Sequence, residues 1–132
     1  MTVFVDTPAL YAVLDADDAN HVAARDMWFA LCQRREHLLC TNYVVVETFA
    51  LVQHRLGMEA VQTLQQDVLP VLDVEWVDEA RHRAGVTALL AANRRRLSLV
   101  DCVSFETMRA YGIRVAFAFD VHFVEQGFEC IP

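Results

Sequence analysis

Short runs of β-branched and aromatic residues alternate along the chain with longer helical stretches, and this alternation constrains the fold more than any other feature. The β-type runs are TVFV (2–5), HLLCT (37–41), DVEWV (73–77), RVAFAF (114–119) and FECI (128–131). Helical segments with recognisable punctuation fill the gaps. Thr7 reads as an N-cap with Pro8 at the first helical position, ahead of ALYAVL. Asp18 is placed to cap a second helix whose apolar positions are Val22, Ala23, Met27, Ala30 and Leu31. A third helix runs from about Tyr43 to Gly57; its first half, apolar nearly all round, predicts a buried helix. MEAVQTLQQDVL forms another, stopped or kinked at Pro70. DEARHRAGVTALLAANRRR predicts a long helix with acids in its first turn and arginines in its last. VDCVSFETMRAYG predicts one more, ended by Gly112, and DVHFVEQ a turn or short helix. Strand alternating with helix implies an α/β sandwich around a mainly parallel sheet. At 132 residues the chain reads as a single domain spanning 1–132.

Composition narrows the function classes. Hydrophobic residues make up 55% of the chain, enough for a real core. No apolar run approaches the roughly 18 residues a membrane span needs. The N-terminus MTVFVDTPAL has no basic stretch of the signal-peptide kind, so a cytoplasmic location is expected. Cys32, Cys40, Cys102 and Cys130 show no metal-site spacing and lie among apolar neighbours, which predicts buried free thiols. A net charge of −7 argues against a general nucleic-acid coat. All eleven basic residues are arginine; the absence of lysine excludes P-loop phosphate binding, Schiff-base chemistry and a response-regulator receiver.

Four acids sit where an acid is costly or where a parallel sheet opens its site. Asp6 follows the first strand and Asp120 the fourth, and ligands gather at the carboxyl ends of such strands. Asp101 opens a helix leading into the fourth strand, and Glu47 lies in VVVETFALV, a helix with almost no polar face. Each has a local alternative. Asp6 and Asp120 suit helix caps, SLVD suits a capping box between Ser98 and Asp101, and Glu47 suits an ion pair with Arg55. If the acids converge instead, a divalent cation is the economical counter-charge, and an all-oxygen donor set suits Mg²⁺ or Mn²⁺. Such a site suits phosphodiester hydrolysis. A haloacid-type phosphatase fits poorly, because FVDTP lacks a second Asp two residues on.

The segments FVDTPALYAVLDADDANH, TNYVVVETFALVQHRLG, LSLVDCVSF and RVAFAFDVHFVEQGF, in this order, resemble the PIN domain, and within it the VapC-like toxins of type II toxin–antitoxin pairs. The resemblance implies a three-layer α/β/α fold and a Mg²⁺- or Mn²⁺-dependent endoribonuclease leaving 5′-phosphate and 3′-hydroxyl ends. Position by position, it assigns catalysis and metal binding to Asp6, Glu47, Asp101 and Asp120. Thr7 would orient water or phosphate. Implied partners are RNA, a cognate antitoxin and a second copy in a homodimer. A standalone RNA-processing nuclease and a non-catalytic binding module of the same fold stay open as alternatives. Arg94, Arg95 and Arg96 are candidates for RNA phosphate contacts, against a solvated helix end. Arg81 and Arg83 read as exposed helix residues, and His21 and His122 as loop or packing residues. Phe117, Phe119, Phe123 and Phe128 read as core packing. Leu10, Tyr11, Trp28 and Phe29 form either core or a partner groove.

Overall fold

The computed structural model describes residues 1–132. Its strands are β1 (Thr2–Val5), β2 (His37–Thr41), β3 (Asp73–Glu75), β4 (Val115–Phe117) and β5 (Glu129–Ile131). Its helices are α1 (Thr7–Leu14), α2 (His21–Gln33), α3 (Asn42–Leu56), α4 (Met58–Thr63), α5 (Glu79–Ala92), α6 (Leu99–Ala110) and α7 (Val121–Glu125). The strands form one sheet in the order β3-β2-β1-β4-β5, and every pairing is parallel. α1 to α4 pack on one another and α5 packs on α6, and the right-handed rule for parallel crossovers puts α1 to α4 on one face and α5 to α7 on the other. The result is a three-layer α/β/α sandwich.

β1 is the central strand. Phe4 pairs with Leu39 on one side and Ala116 on the other. A strand covered on both faces needs a continuous apolar run rather than an alternating one. Val3, Phe4 and Val5 meet that need, each at 0% exposure. Phe117 and Phe123 are buried as fully, and each such side chain contributes about 1.5–3 kcal/mol by leaving water. Phe119 and Phe128 are half-buried and pack on the edge of this cluster.

Several local expectations need correction. α2 buries Ala24, Trp28 and Leu31; of the face read as Val22, Ala23, Met27, Ala30 and Leu31, Leu31 is buried and Met27 packs against the core, whereas Val22 and Ala23 are exposed. Trp28 is bulky enough to decide which face turns inward. With Leu10 and Tyr11 it belongs to the core, whereas Phe29 is exposed. α3 is not buried all round: Val44, Thr48 and Val52 face inward, while Val46 is 67% exposed. Asp6, not Thr7, is the N-cap residue of α1. The segment after α4 passes through a π turn (Leu64–Val68) and a 3-10 turn (Leu69–Val71), because Pro70 supplies no amide to continue an α ladder. α5 stops at Ala92, where Asn93 takes the left-handed conformation that asparagine tolerates, with φ 51° and ψ 42°. Arg94, Arg95 and Arg96 therefore lie beyond the helix rather than in its last turn. All four cysteines are free, but only Cys40 and Cys102 are buried; Cys32 and Cys130 are half-exposed.

α5 and α6 pack closely because Gly85 lacks a side chain. A Cβ there would stand 2.5 Å from Val103 Cγ2. Gly85→Ala gains about 1 kcal/mol of helix propensity but meets an overpacking penalty of about 1–3 kcal/mol. A lower urea midpoint, with stability reduced by about 1 kcal/mol, is expected. A higher midpoint would contradict the close α5–α6 contact.

Candidate active site

The sheet reverses its winding between two neighbours. β1 connects outward to β2, and β4 connects outward the other way to β5. At such a switch point the loops leave to opposite sides and open a crevice at the carboxyl ends of the strands. The β1–β4 pairing continues one step beyond the strands, with Asp6 N–H donating to Phe117 O at 3.1 Å. Asp6 is thereby seated at the seam.

Asp6 is only 2% exposed. It has the extended backbone of an N-cap residue, yet its carboxylate caps nothing. The capping alternative therefore leaves its side chain unexplained. Thr7, equally buried, follows it and donates its hydroxyl to Val44 O at 3.3 Å. Thr48 donates to the same carbonyl at 2.7 Å, and its hydroxyl lies 3.1 Å from that of Thr7. This hydroxyl pair ties α1 to α3 and fixes Asp6 relative to Glu47, the residue before Thr48. Thr48 was missed in the sequence; its signal was a second polar residue beside Glu47 on an apolar helix.

Glu47 is half-buried and forms no ion pair with Arg55, whose guanidinium sits 5.4 Å from the Tyr11 ring instead. Asp101 does form the capping box: Ser98 N–H donates to its Oδ2 at 3.1 Å, and Asp101 N–H donates to Ser98 Oγ at 3.0 Å. That box uses one carboxylate oxygen; Oδ1 accepts from no protein donor. Asp120 does not directly follow β4, because the strand ends at Phe117, Ala118 N–H still donates to Ile131 O in the ladder with β5, and Phe119 intervenes. Asp120 caps α7, its Oδ1 accepting from His122 N–H at 2.9 Å.

His122, read from the sequence as a loop or packing residue, is buried between two acids. Its Nε2 is 3.8 Å from Asp120 and its Nδ1 3.4 Å from Glu125. Glu125 in turn pairs with Arg94 at 2.7 Å. Of the arginine run, only Arg94 is tied toward the acidic group. Arg95 and Arg96 are exposed and make no ion pair.

The four acids share one field. Burial pushes the Asp6 carboxyl well above its ordinary range, and the charges of Asp101, Glu47 and Asp120 push it further, against the Thr7 backbone amide. Burial also raises Glu47; the Thr7 hydroxyl opposes this and Asp101 adds to it. Asp101 is raised by burial first and by Asp120 as well, against its Ser98 hydrogen bonds and the neighbouring His122. No arginine pairs with Asp6, Glu47 or Asp101. No three acidic, histidine or cysteine side chains are drawn together as a ready coordination sphere. The donor set nonetheless fits a hard cation, which favours oxygen ligands. Mg²⁺ commonly takes only one or two carboxylates and keeps several waters, so a loosely gathered group suits it.

An all-parallel α/β/α sandwich with unpaired carboxylates at its switch point defines a narrow class. The chain belongs to the PIN domain family, whose signature matches residues 3–129. It is 33% identical over 127 residues to "23S rRNA-specific endonuclease VapC20" of Mycobacterium tuberculosis, covering 96% of this chain and 95% of that protein. The crystal structure of that organism's VapC20, described as a "Sarcin-Ricin loop cleaving toxin", superposes with a TM-score of 0.87 at 32% identity, covering 98% of this chain and 99% of the other. FitAcB from Neisseria gonorrhoeae shares the fold, with a TM-score of 0.72 at 15% identity over 100% of this chain and 97% of the other. So does VapBC2 from Rickettsia felis bound to a promoter DNA fragment, with a TM-score of 0.72 at 11% identity over 98% and 97%.

The raised Asp6 carboxyl has a thermodynamic consequence. Above about pH 4 the unfolded chain releases this proton while the folded chain still holds it. Folded stability from this group therefore falls as pH rises toward the folded pKa. Asp6→Asn removes that liability. In EDTA at neutral pH its urea midpoint should exceed that of the parent, and its loss of stability between acid and neutral pH should be smaller. A lower midpoint would show that the carboxylate stabilises the fold.

Proposed function

We propose that this chain is a divalent-cation-dependent endoribonuclease, acting as the toxin of a type II toxin–antitoxin pair. The observation that carries the reading is the burial of Asp6 at the β1–β4 switch point, with Glu47, Asp101 and Asp120 raising or sharing its field and no arginine to neutralise it. The family, and the activity printed for the M. tuberculosis relative, support RNA as the substrate.

Asp6 and Asp101 would hold Mg²⁺ or Mn²⁺, with Glu47 and Asp120 holding it directly or through water. When bound, such a cation would lower the pKa of a coordinated water and offset charge on the leaving oxygen. The rest falls to the protein. The hydroxyl pair of Thr7 and Thr48 holds α1 against α3, so the Asp6 and Glu47 carboxylates keep their spacing. The Ser98 box locks the Asp101 rotamer and leaves one oxygen free. Thr7 would orient water or phosphate. Arg94, drawn to the rim by Glu125, is the best placed of the three arginines to meet an RNA phosphate; Arg95 and Arg96 would act only at longer range. The 3′-oxygen is the proposed leaving group, giving 5′-phosphate ends.

Purified Asp6→Asn and Asp101→Asn should cleave RNA at least about 100-fold more slowly than the parent in Mn²⁺, and EDTA should abolish parental cleavage. Cleavage by either variant at the parental rate, or full activity in EDTA, contradicts the assignment. For the proposed homodimer, light scattering during size exclusion should give twice the monomer mass at micromolar concentration; a monomer there rules it out.

A further inference from the structure

A cleft of about 350 Å³ opens directly beside the acids, lined by Asn42, Tyr43, Val46, Glu47 and Val100. Glu47 is both a wall of this cleft and one of the four carboxylates, and Val100 precedes Asp101. The cleft and the candidate active site are therefore continuous. Resting on the nuclease reading above, we propose that this cleft is a nucleobase subsite, holding the base next to the scissile phosphate against Tyr43 and Val46.

Its chemistry selects against other parts of the RNA. No arginine or histidine lines it, so it holds no positive charge for a phosphate, the Glu47 carboxylate in its wall disfavours an anion, and the rest of its lining is mostly apolar. Its size lies at the lower end of small-molecule sites, about 300 Å³ upward, which suits one base rather than a duplex. Val46 is 67% exposed on a helix whose neighbouring turns bury Val44 and Thr48, so an apolar side chain is left facing the cleft without a protein partner. Two of the lining residues, Tyr43 and Asn42, are already set in place. The Tyr43 hydroxyl hydrogen-bonds His82 Nδ1, and the two rings meet edge to face at 5.9 Å and 69°. Tyr43 is thus a platform fixed before any ligand arrives, which reduces the ordering cost of stacking. Asn42 Oδ1 accepts from Val77 N–H at 2.7 Å, leaving its Nδ2 without a protein acceptor and available to a base oxygen or ring nitrogen. An apolar side chain of a protein partner would fill the space but would leave that amide unused.

Two measurements test the assignment. Saturation-transfer NMR in EDTA with the four nucleoside 5′-monophosphates should show stronger transfer to base protons than to ribose protons. This should persist in Tyr43→Phe, which keeps the ring, and vanish in Tyr43→Ala and Val46→Asp. Cleavage of a randomised single-stranded oligoribonucleotide pool in Mn²⁺ should show a base preference beside the cut. Tyr43→Ala should flatten that preference and raise KM about 10-fold, the effect falling on KM rather than kcat, while Tyr43→Phe retains both. Parental KM and preference in Tyr43→Ala would overturn the subsite while leaving the nuclease reading intact. Base-proton transfer lost in Tyr43→Ala, from a parent that cleaves nothing, would uphold the subsite and count against the nuclease reading. Unchanged nucleotide contacts in Tyr43→Ala, with weakened antitoxin affinity, would assign the cleft to a protein side chain and overturn the proposal.

Discussion

Asp6 is a carboxylate taken out of water at the end of the central strand, with three further acids around it and no arginine in contact. A buried charge without a partner costs several kcal/mol, so the group shifts its pKa or acquires a counter-ion. Here the shift is upward, and burial is its leading cause. The surrounding structure over-determines this unfavourable arrangement. The β1–β4 ladder holds the Asp6 backbone, the Thr7 and Thr48 hydroxyls hold α3, and the Ser98 box holds Asp101. Stability stored elsewhere in the sandwich sustains a local cost at one place, a common property of functional sites.

The fold explains why that place is the carboxyl edge of β1 and β4. Parallel strands with right-handed crossovers leave one crevice where the winding reverses, and residues directly after the strands line it. Asp6 comes from β1, Asp120 from the turn after β4, Glu47 from the helix after β2, and Asp101 from the helix leading back to β4. The acids are distant in sequence but share one edge of the sheet. Glu47 also lines the neighbouring cleft, and Val100 of that cleft directly precedes Asp101, so chemistry and recognition would occupy adjoining space.

The parallel sheet was legible because short strand-type runs alternate with helices, and because the central strand β1 is a continuous apolar run ending in a polar stop; the order of the strands was not read from the sequence. Two of the acids were conspicuous for a related reason: Glu47 on an apolar helix and Asp6 directly behind a strand are expensive placements. Local rules failed where tertiary contacts chose between similar options. The α2 face is centred on Ala24, Trp28 and Leu31, with Met27 at its edge, which turns Val22 and Ala23 outward. The arginine run left its helix because Asn93 adopted a left-handed cap. Asp101 and Asp120 cap helices and also act electrostatically on Asp6, so a local capping role does not place an acid outside the group. His122 and Thr48 gave little sequence signal, since their significance lies in neighbours that only the folded chain supplies.

The central claim is that the mutual repulsion of these acids is relieved by a divalent cation that displaces the proton Asp6 retains. Calorimetric titration of Mn²⁺ into the metal-free protein, repeated in buffers of different ionisation enthalpy, measures cation uptake and proton release together. The account predicts saturable Mn²⁺ binding coupled to proton release, with both lost or sharply weakened in Asp6→Asn. Mn²⁺ binding that is absent, or that is identical in Asp6→Asn and releases no proton in the parent, would contradict it.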